Sequence, residues 1–376
     1  MTARISRYLL DEQPQTPCLV VDLEAVGDAY DSLKRALPMA TIYYAMKANP
    51  AKPVMQLLAG RGSSFDCASI YEIKEALEAG APADRLSFGN TIKKQSDIAA
   101  AWRLGVDMFA FDCEAELEKL ALAAPGARVY CRLFMDGAGA DWPLGRKFGC
   151  DVAMAKDLMI KALGMGLDPY GLSFHVGSQQ RDLGQWDLAV GRTAMLFTDL
   201  AEAGVKLRMV NIGGGFTAHY RTDAPDQHDH AAAVVQALTQ HFGNRMPEVI
   251  VEPGRSLVGD AGVIQSEVVL ISKKSYEDDE RWVYLDIGKF GGLIETMDEA
   301  IQYRLRTPHD GASTSPVVIA GPTCDEVDVL YRDSGYQLPD NLAVGDKIEI
   351  LATGAYTSTY CSVGFNGLPP LQTHCI

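Results

Sequence analysis

Eight short apolar runs, separated by amphipathic stretches between about residue 24 and residue 256, constrain the fold of this chain more than any other feature. They are TIYYAMKA (41–48), SSFDCAS (63–69), RLSFGN (85–90), VDMFAFD (106–112), RVYCRLF (128–134), GLSFHVGS (171–178), RMVNIGGG (208–215) and EVIVEPGR (248–255). Between them IYEIKEALEAG (70–80), KKQSDIAAAWRLG (93–105), EAELEKLALAA (114–124) and MAKDLMIKALGMG (154–166) carry apolar residues at helical spacing, and three of the four end on glycine. Brief, nearly continuous apolar runs suit strands covered on both faces, and alternation with helices suits a parallel sheet. Eight such units predict an α/β fold, a closed (β/α)8 barrel over residues 24–256.

Beyond 256 the texture changes. GVIQSEVVLISKK, RWVYLDIG, SPVVIAG and DKIEILATGAYTS are strand-like, punctuated by Gly, Pro and Asp, and helical patterns are few. Near the start, TPCLVVDLEAV (16–26) reads as a strand running into a helix. A second, all-β domain is therefore expected from residues 1–23 and 257–376, with the chain crossing into the barrel near residue 24. No internal repeat or low-complexity linker interrupts the pattern.

A net charge of −15 argues against nucleic acid or an anionic membrane as a partner. No apolar run reaches the length of a membrane span, and MTARISRYLLDEQPQTP lacks the apolar core of a signal peptide, so the cytoplasm is the expected location. The eight cysteines show no CxxC pair or regular spacing, which fits reduced thiols better than a disulfide frame or a zinc site. His228 and His230, in the Asp-rich RTDAPDQHDH, read as solvated loop residues rather than ligands.

Chemically capable side chains collect at the carboxyl ends of the predicted strands: Lys47, Asp66, Asn90, Arg132, His175, Gly213–Gly215 and Glu252. That rim is where barrels of this kind build their sites. Lys47 ends an apolar run. It either snorkels to water or is desolvated, which would lower its pKa and prepare it to form a Schiff base. Three glycines in NIGGGF and a fourth in EPGR follow the seventh and eighth strands, where barrels frequently hold a phosphate. Glu252 either pairs with Arg255 or another rim arginine, or holds a proton on a heterocyclic nitrogen. An amine, an anion cradle and a carboxylate together describe a site for pyridoxal 5′-phosphate.

The ordered set YYAMKANP, SSFDCAS, FGNTIKK, RKFGC, SFHVGSQ, NIGGGF, EPGR, GPTCDEVD and TGAYT…FNG resembles the fold-type III, alanine-racemase-like pyridoxal-phosphate decarboxylases, and among them the eukaryotic-type ornithine decarboxylases. The resemblance implies that Lys47 forms the Schiff base and that His175 stacks on the pyridine ring. It implies that Glu252 faces the pyridine nitrogen and that Asp66 and Arg132 order the ring environment. Phosphate contacts fall to Ser178, Gly213, Gly214, Gly215, Gly254, Arg255 and Tyr356.

The same resemblance implies a homodimer with shared sites. Cys324 and Asp325 would reach the partner's site, Cys324 as the acid that protonates Cα and Asp325 as a substrate ligand. Asp298 would bind the substrate amine, and Lys147 with Asp328 would form a cross-subunit ion pair. The alternative for Asp298 is an ordinary helix-surface acid beside Glu299. The interval from Tyr356 to Phe365 is one residue longer than in eukaryotic members, and the sequence after Asp286 departs from theirs.

The expected reaction is decarboxylation of L-ornithine to putrescine. Lysine or dual-specificity decarboxylation is the nearest alternative. Diaminopimelate decarboxylation is disfavoured because Cys324 is followed by Asp325 rather than glutamate, and arginine decarboxylation because such enzymes are expected to be longer. A non-catalytic regulator is disfavoured by the intact Lys47, His175, Glu252, Cys324 and Asp325.

Overall fold

The computed structural model describes residues 1–142 and 145–376. The chain opens with α1 (Ala3–Glu12), β1 (Cys18–Val21) and α2 (Leu23–Ala36). The barrel follows as β2 (Ala40–Ala45), α3 (Lys52–Gly60), β3 (Ser64–Cys67), α4 (Ile70–Glu78), β4 (Leu86–Phe88), α5 (Gln95–Arg103), β5 (Met108–Phe111), α6 (Glu114–Ala123) and β6 (Arg128–Arg132). It continues through β7 (Ala140–Trp142), α7 (Val152–Gly164), β8 (Asp168–Ser173), β9 (Ser178–Gln180), α8 (Gly184–Glu202), β10 (Met209–Asn211), α9 (Gln227–Phe242) and β11 (Glu248–Val251). Eight of these strands close in the order β10-β11-β2-β3-β4-β5-β6-β8, while β7 and β9 form a separate two-stranded ladder.

Each predicted apolar run contributes one barrel strand, and every pairing around the barrel is parallel. Inward-facing Tyr43, Met108, Ala110, Tyr130, Tyr170, Met209 and Ile250 form one buried cluster. The barrel is a packed core, so only its rim is free for chemistry.

The remaining strands are β12 (Gly262–Ser272), β13 (Arg281–Leu285), β14 (Leu305–Arg306), β15 (Thr314–Ala320), β16 (Val329–Tyr331), β17 (Gln337–Pro339), β18 (Lys347–Leu351) and β19 (Gln372–Cys375). Their sheet runs β14-β18-β12-β13-β15-β16; β1 pairs with both β12 and β19, and β17 pairs with β15. α1, which the periodicity did not reveal, packs Ile5 and Leu9 against Cys18, Val20 and Val263. Its first turn is capped by Thr2, whose side chain accepts from Ile5 N.

Two compact units result. The barrel unit is Gly27–Thr217 with Pro225–Ser256; the β unit is Met1–Val26, Ala218–Ala224 and Leu257–Ile376. The seven residues 218–224 are an excursion from the barrel sequence into the β unit that no local pattern announced. Within that unit Tyr220 packs edge-on to Tyr303, with ring centroids 5.4 Å apart. Arg221 donates to the carbonyls of Ser334 (2.6 Å) and Gly335 (3.0 Å).

Candidate active site

β2 ends at Ala45, and a single 3-10 turn, Met46–Ala48, carries Lys47 past the strand end. Its side chain is 48% exposed, and its Nζ lies 3.6 Å from Oδ2 of the buried Asp66 on β3. Of the two settings open to Lys47, the structure has the solvent-reaching one, because the turn lifts the ammonium to the rim. The buried lysine of the barrel is Lys93, with 0% side-chain exposure and an ion pair to Glu116 at 3.0 Å. Burial pushes Lys93 down to about 8 against the pull of Glu116. Its Nζ also donates to the carbonyls of Asn90 (2.7 Å) and Ala110 (2.6 Å), so it ties the loop after β4 to strand β5 and offers no open amine. Asn90 itself turns its amide to Ala68 O at 3.2 Å, a backbone staple.

Glu252 is the first residue after β11, beside the glycine loop. Its main-chain N–H donates to Gly213 O at 2.8 Å. Asn211 Nδ2 donates to its carboxylate, while Asn211 Oδ1 accepts from Gly213 N at 2.9 Å. Asn211 thereby sets carboxylate and cradle relative to each other. Sequence reasoning passed over it, although its place at the end of β10 inside NIGGGF was the available signal. Burial, followed by the nearby Asp66, pushes Glu252 up to about 7, against the pull of Lys47, Asn211 and Arg132. At the end of β6 the Arg132 guanidinium is lowered by burial, and the charges of Glu252, Asp112 and Asp66 oppose that shift.

The sign of the Glu252 shift gives a test. In the apoprotein the folded state keeps a proton that the unfolded chain releases near 4.5, so this group's contribution to stability falls as pH rises from about 4.5 to 7 and is flat above. Glu252→Gln removes that titration. Thermal unfolding of both apoproteins should show the variant gaining on the wild type across this window. A constant difference between pH 5 and pH 8 would mean that Glu252 ionises as an ordinary carboxyl.

His175, two residues past β8, is lowered well below the usual histidine value by burial, then by the charges of Arg132 and Lys47. Its ring is neutral, and Nδ1 accepts from Gly177 N at 3.0 Å, which leaves the proton on Nε2. The ring faces Gly214, where a Cβ would stand 3.2 Å from Nε2. Gly213 (φ 70°) and Gly215 (φ 116°) adopt left-handed conformations, and side chains there would meet the carbonyls of Phe174 at 2.3 Å and Gly177 at 2.7 Å. A Cβ on Gly254 would crowd Ala48 and Ala45 at 3.0 and 3.3 Å. Buried Arg255 donates through Nε (3.2 Å) and Nη2 (3.1 Å) to Ser178 Oγ. The barrel unit therefore brings Lys47, Asp66, Arg132, His175, Ser178, Gly213–Gly215, Glu252, Gly254 and Arg255 to one rim.

Tyr356, Cys324, Asp325, Asp298 and Asp328 belong to the β unit. Tyr356 has a φ of 56°. Cys324 is exposed, and its N–H donates to Asn366 Oδ1 at 3.3 Å. Asp328 is 2% exposed and organises the turn before it, accepting from Thr323 Oγ1 (2.6 Å), Thr323 N (3.1 Å) and Lys289 N (2.8 Å). In this chain its carboxylate is a turn anchor. Exposed Lys147 lies over the Phe148 ring at 5.1 Å. Phe365 packs on Phe290 with centroids 4.6 Å apart. Asp298 is not on a regular helix, for it and Glu299 have φ values of 51° and 54°. Glu299 accepts from Arg332 N (2.6 Å), Asp333 N (2.8 Å) and Ser334 Oγ, so the neighbouring acid is used structurally while Asp298 stays exposed.

The solvated setting expected for His230 is incorrect: it is 0% exposed within α9, while His228 is exposed. Among the described residues no group of three or more His, Cys, Asp or Glu could hold a metal ion, and no helix is long and apolar enough to cross a membrane.

The donor set fits pyridoxal 5′-phosphate. An accessible amine can take its aldehyde, a carboxylate held partly protonated near neutrality suits a pyridine nitrogen, and a bare-backbone cradle beside Arg255 suits the phosphate. Fold and site together define a barrel enzyme of pyridoxal chemistry. The pyridoxal-binding domain of the pyridoxal-dependent decarboxylases matches residues 23–259, and the chain belongs to that family.

The lysine/ornithine decarboxylase of Selenomonas ruminantium is 35% identical over 94% of this chain and 87% of its own length. The lysine decarboxylase structure from the same organism, in complex with pyridoxal phosphate and cadaverine, has a TM-score of 0.89 at 32% identity, covering 100% of this chain and 94% of that one. The arginine decarboxylase of Paramecium bursaria Chlorella virus, bound to agmatine, has a TM-score of 0.89 at 26% identity, covering 98% of this chain and 100% of that one. That coverage overturns the exclusion of arginine decarboxylases by length. The protein is a pyridoxal-phosphate-dependent decarboxylase of basic amino acids.

Proposed function

We propose that this chain decarboxylates L-ornithine to putrescine as a homodimer in which each site takes Cys324 and Asp325 from the partner. The observation that carries the reading is the exposed Cys324–Asp325 pair on a turn fixed by Asp328 and Asn366. It presents a thiol and a carboxylate side by side on a rigid support. A carboxylate suits the distal ammonium of a diamino acid, and a thiol suits delivery of a proton.

When bound, pyridoxal 5′-phosphate supplies the electron sink for the pair released as the Cα–carboxylate bond breaks. Gly213–Gly215, Gly254, Arg255, Ser178 and Tyr356 would hold its phosphate, and Lys47 would supply the amine that binds its aldehyde. Glu252 keeps a proton on the pyridine nitrogen. The neutral His175 supplies a flat, uncharged ring against the cofactor, with Asp66 and Arg132 ordering the surroundings. The partner's Cys324 gives Cα the proton that replaces carbon dioxide, and Asp325 and Asp298 receive the distal ammonium.

Lysine is the second reading, favoured by a relative named for both substrates. One methylene is worth about 1–3 kcal/mol, so discrimination is expected to be roughly 10- to 200-fold. Parallel assays of ornithine, lysine, arginine and diaminopimelate with added cofactor should give the highest kcat/KM for ornithine, lysine next and the other two far below. A kcat/KM for lysine equal to or above that for ornithine replaces the first reading with the second; a preference for arginine or diaminopimelate removes both.

A further inference from the structure

The chain leaves the barrel unit at Thr217, two residues after the glycine cradle, and re-enters it at Pro225. Thr217 Oγ1 donates to Pro225 O, closing the neck of the excursion with one hydrogen bond. Behind that bond lies His230. Trp186 Nε1 is 3.2 Å from His230 Nδ1, and His230 Nε2 is 3.3 Å from Thr217 Oγ1.

The directions follow from the donors. An indole N–H can only donate, so Nδ1 accepts and the neutral ring carries its proton on Nε2. That proton points at Thr217, whose hydroxyl proton goes to Pro225. The chain Trp186→His230→Thr217→Pro225 has one consistent direction and no spare proton. Burial pushes His230 down to about 4 against the pull of Asp229 and Asp226, so the ring stays neutral near neutral pH. Phe216, between Gly215 and Thr217, lies against both rings, with centroids 5.4 Å from Trp186 and 5.5 Å from His230.

We infer that Trp186, His230 and Thr217 form a buried latch whose task is to hold Gly213–Gly215 in the shape that binds the cofactor's phosphate. The inference rests on the reading of those glycines as the phosphate cradle. None of the three touches the reacting atoms, so they are positioning residues. Loops of bare glycine have many conformations to lose on ordering, and a cradle made of them binds tightly only when its flank is fixed beforehand. The latch supplies that flank on the carboxyl side, through the residue next to Phe216.

The test compares dissociation constants for pyridoxal 5′-phosphate and for pyridoxal, which has no phosphate, in the full-length protein. The parent should prefer the phosphorylated form strongly; equal affinities would remove the cradle reading itself. Thr217→Val keeps the shape and deletes the hydroxyl. It should lose roughly 10- to 100-fold in affinity for pyridoxal 5′-phosphate and little for pyridoxal, with kcat at saturating cofactor within about threefold. Thr217→Ser should restore the preference. Trp186→Phe, which removes the indole N–H together with part of a fully buried ring, should shift the ratio in the same direction and covers the case in which Thr217→Val does not fold. If the parent discriminates and the variants keep its ratio, or lose both affinities equally, the latch is merely a packing feature.

Discussion

Lys47→Ala should lose turnover by at least about a thousandfold, corresponding to about 4 kcal/mol of barrier, and should no longer retain cofactor after borohydride reduction and denaturation. The expectation comes from access. Lys47 stands at the rim with half its side chain in the open, next to Asp66. Lys93 is sealed by two carbonyls and Glu116. Reduction of the wild type followed by peptide mapping should place the label on Lys47 alone. Lys47→Arg should fare no better, since a guanidinium keeps the charge but cannot make the link. Cofactor should still bind non-covalently to both variants, because Arg255, Ser178 and the glycine cradle are untouched. A borohydride-stable label that persists in Lys47→Ala would move the assignment to another lysine.

The second large effect concerns the sharing of sites. Lys47→Ala and Cys324→Ala should each be inactive or nearly so, the second by roughly 10²- to 10⁴-fold as the loss of a proton donor. Mixed together they should recover activity. Random reassortment makes half the dimers mixed, and each mixed dimer has one wholly native site and one doubly defective site. Roughly a quarter of wild-type activity should return once subunits exchange freely. Each variant must first be shown to fold and dimerise as the parent does. If exchange is demonstrated by tagged subunits and nothing returns, each chain works with its own residues and sharing is wrong.

The barrel was legible because its strands are buried on both faces, which forces uninterrupted apolar runs, and because their carboxyl ends carry the polar side chains. Lys47, Asp66, Arg132, His175, Glu252 and the glycines stood out for that reason. What escaped notice depends on three-dimensional neighbours. Spacing left Lys47 between a solvated and a buried setting; a 3-10 turn of three residues carries it to the rim, while Lys93, which no pattern marked, is the one held by Glu116 and two carbonyls. His230 lay in a string of acids and histidines that reads as solvated, yet α9 begins at Gln227 and turns His230 inward to Trp186. The roles of Asn211 and Glu299 are set by backbone groups far along the chain, which no spacing rule predicts. The excursion at 218–224 has no composition of its own.

The position of β1 has a consequence for how the molecule is made. Cys18–Val21 is flanked by β12 and β19, whose paired residues begin at Gly262 and Gln372. All eight barrel strands have been synthesised by Val251, before either neighbour exists. At roughly 5–20 residues per second, the tetrapeptide CLVV waits on the order of 10–50 s with both edges unpaired. An apolar strand in that state is a template for pairing with other nascent chains. The last barrel strand is therefore made while the first strand of the chain still has both edges open, and the seam that β19 closes is among the last.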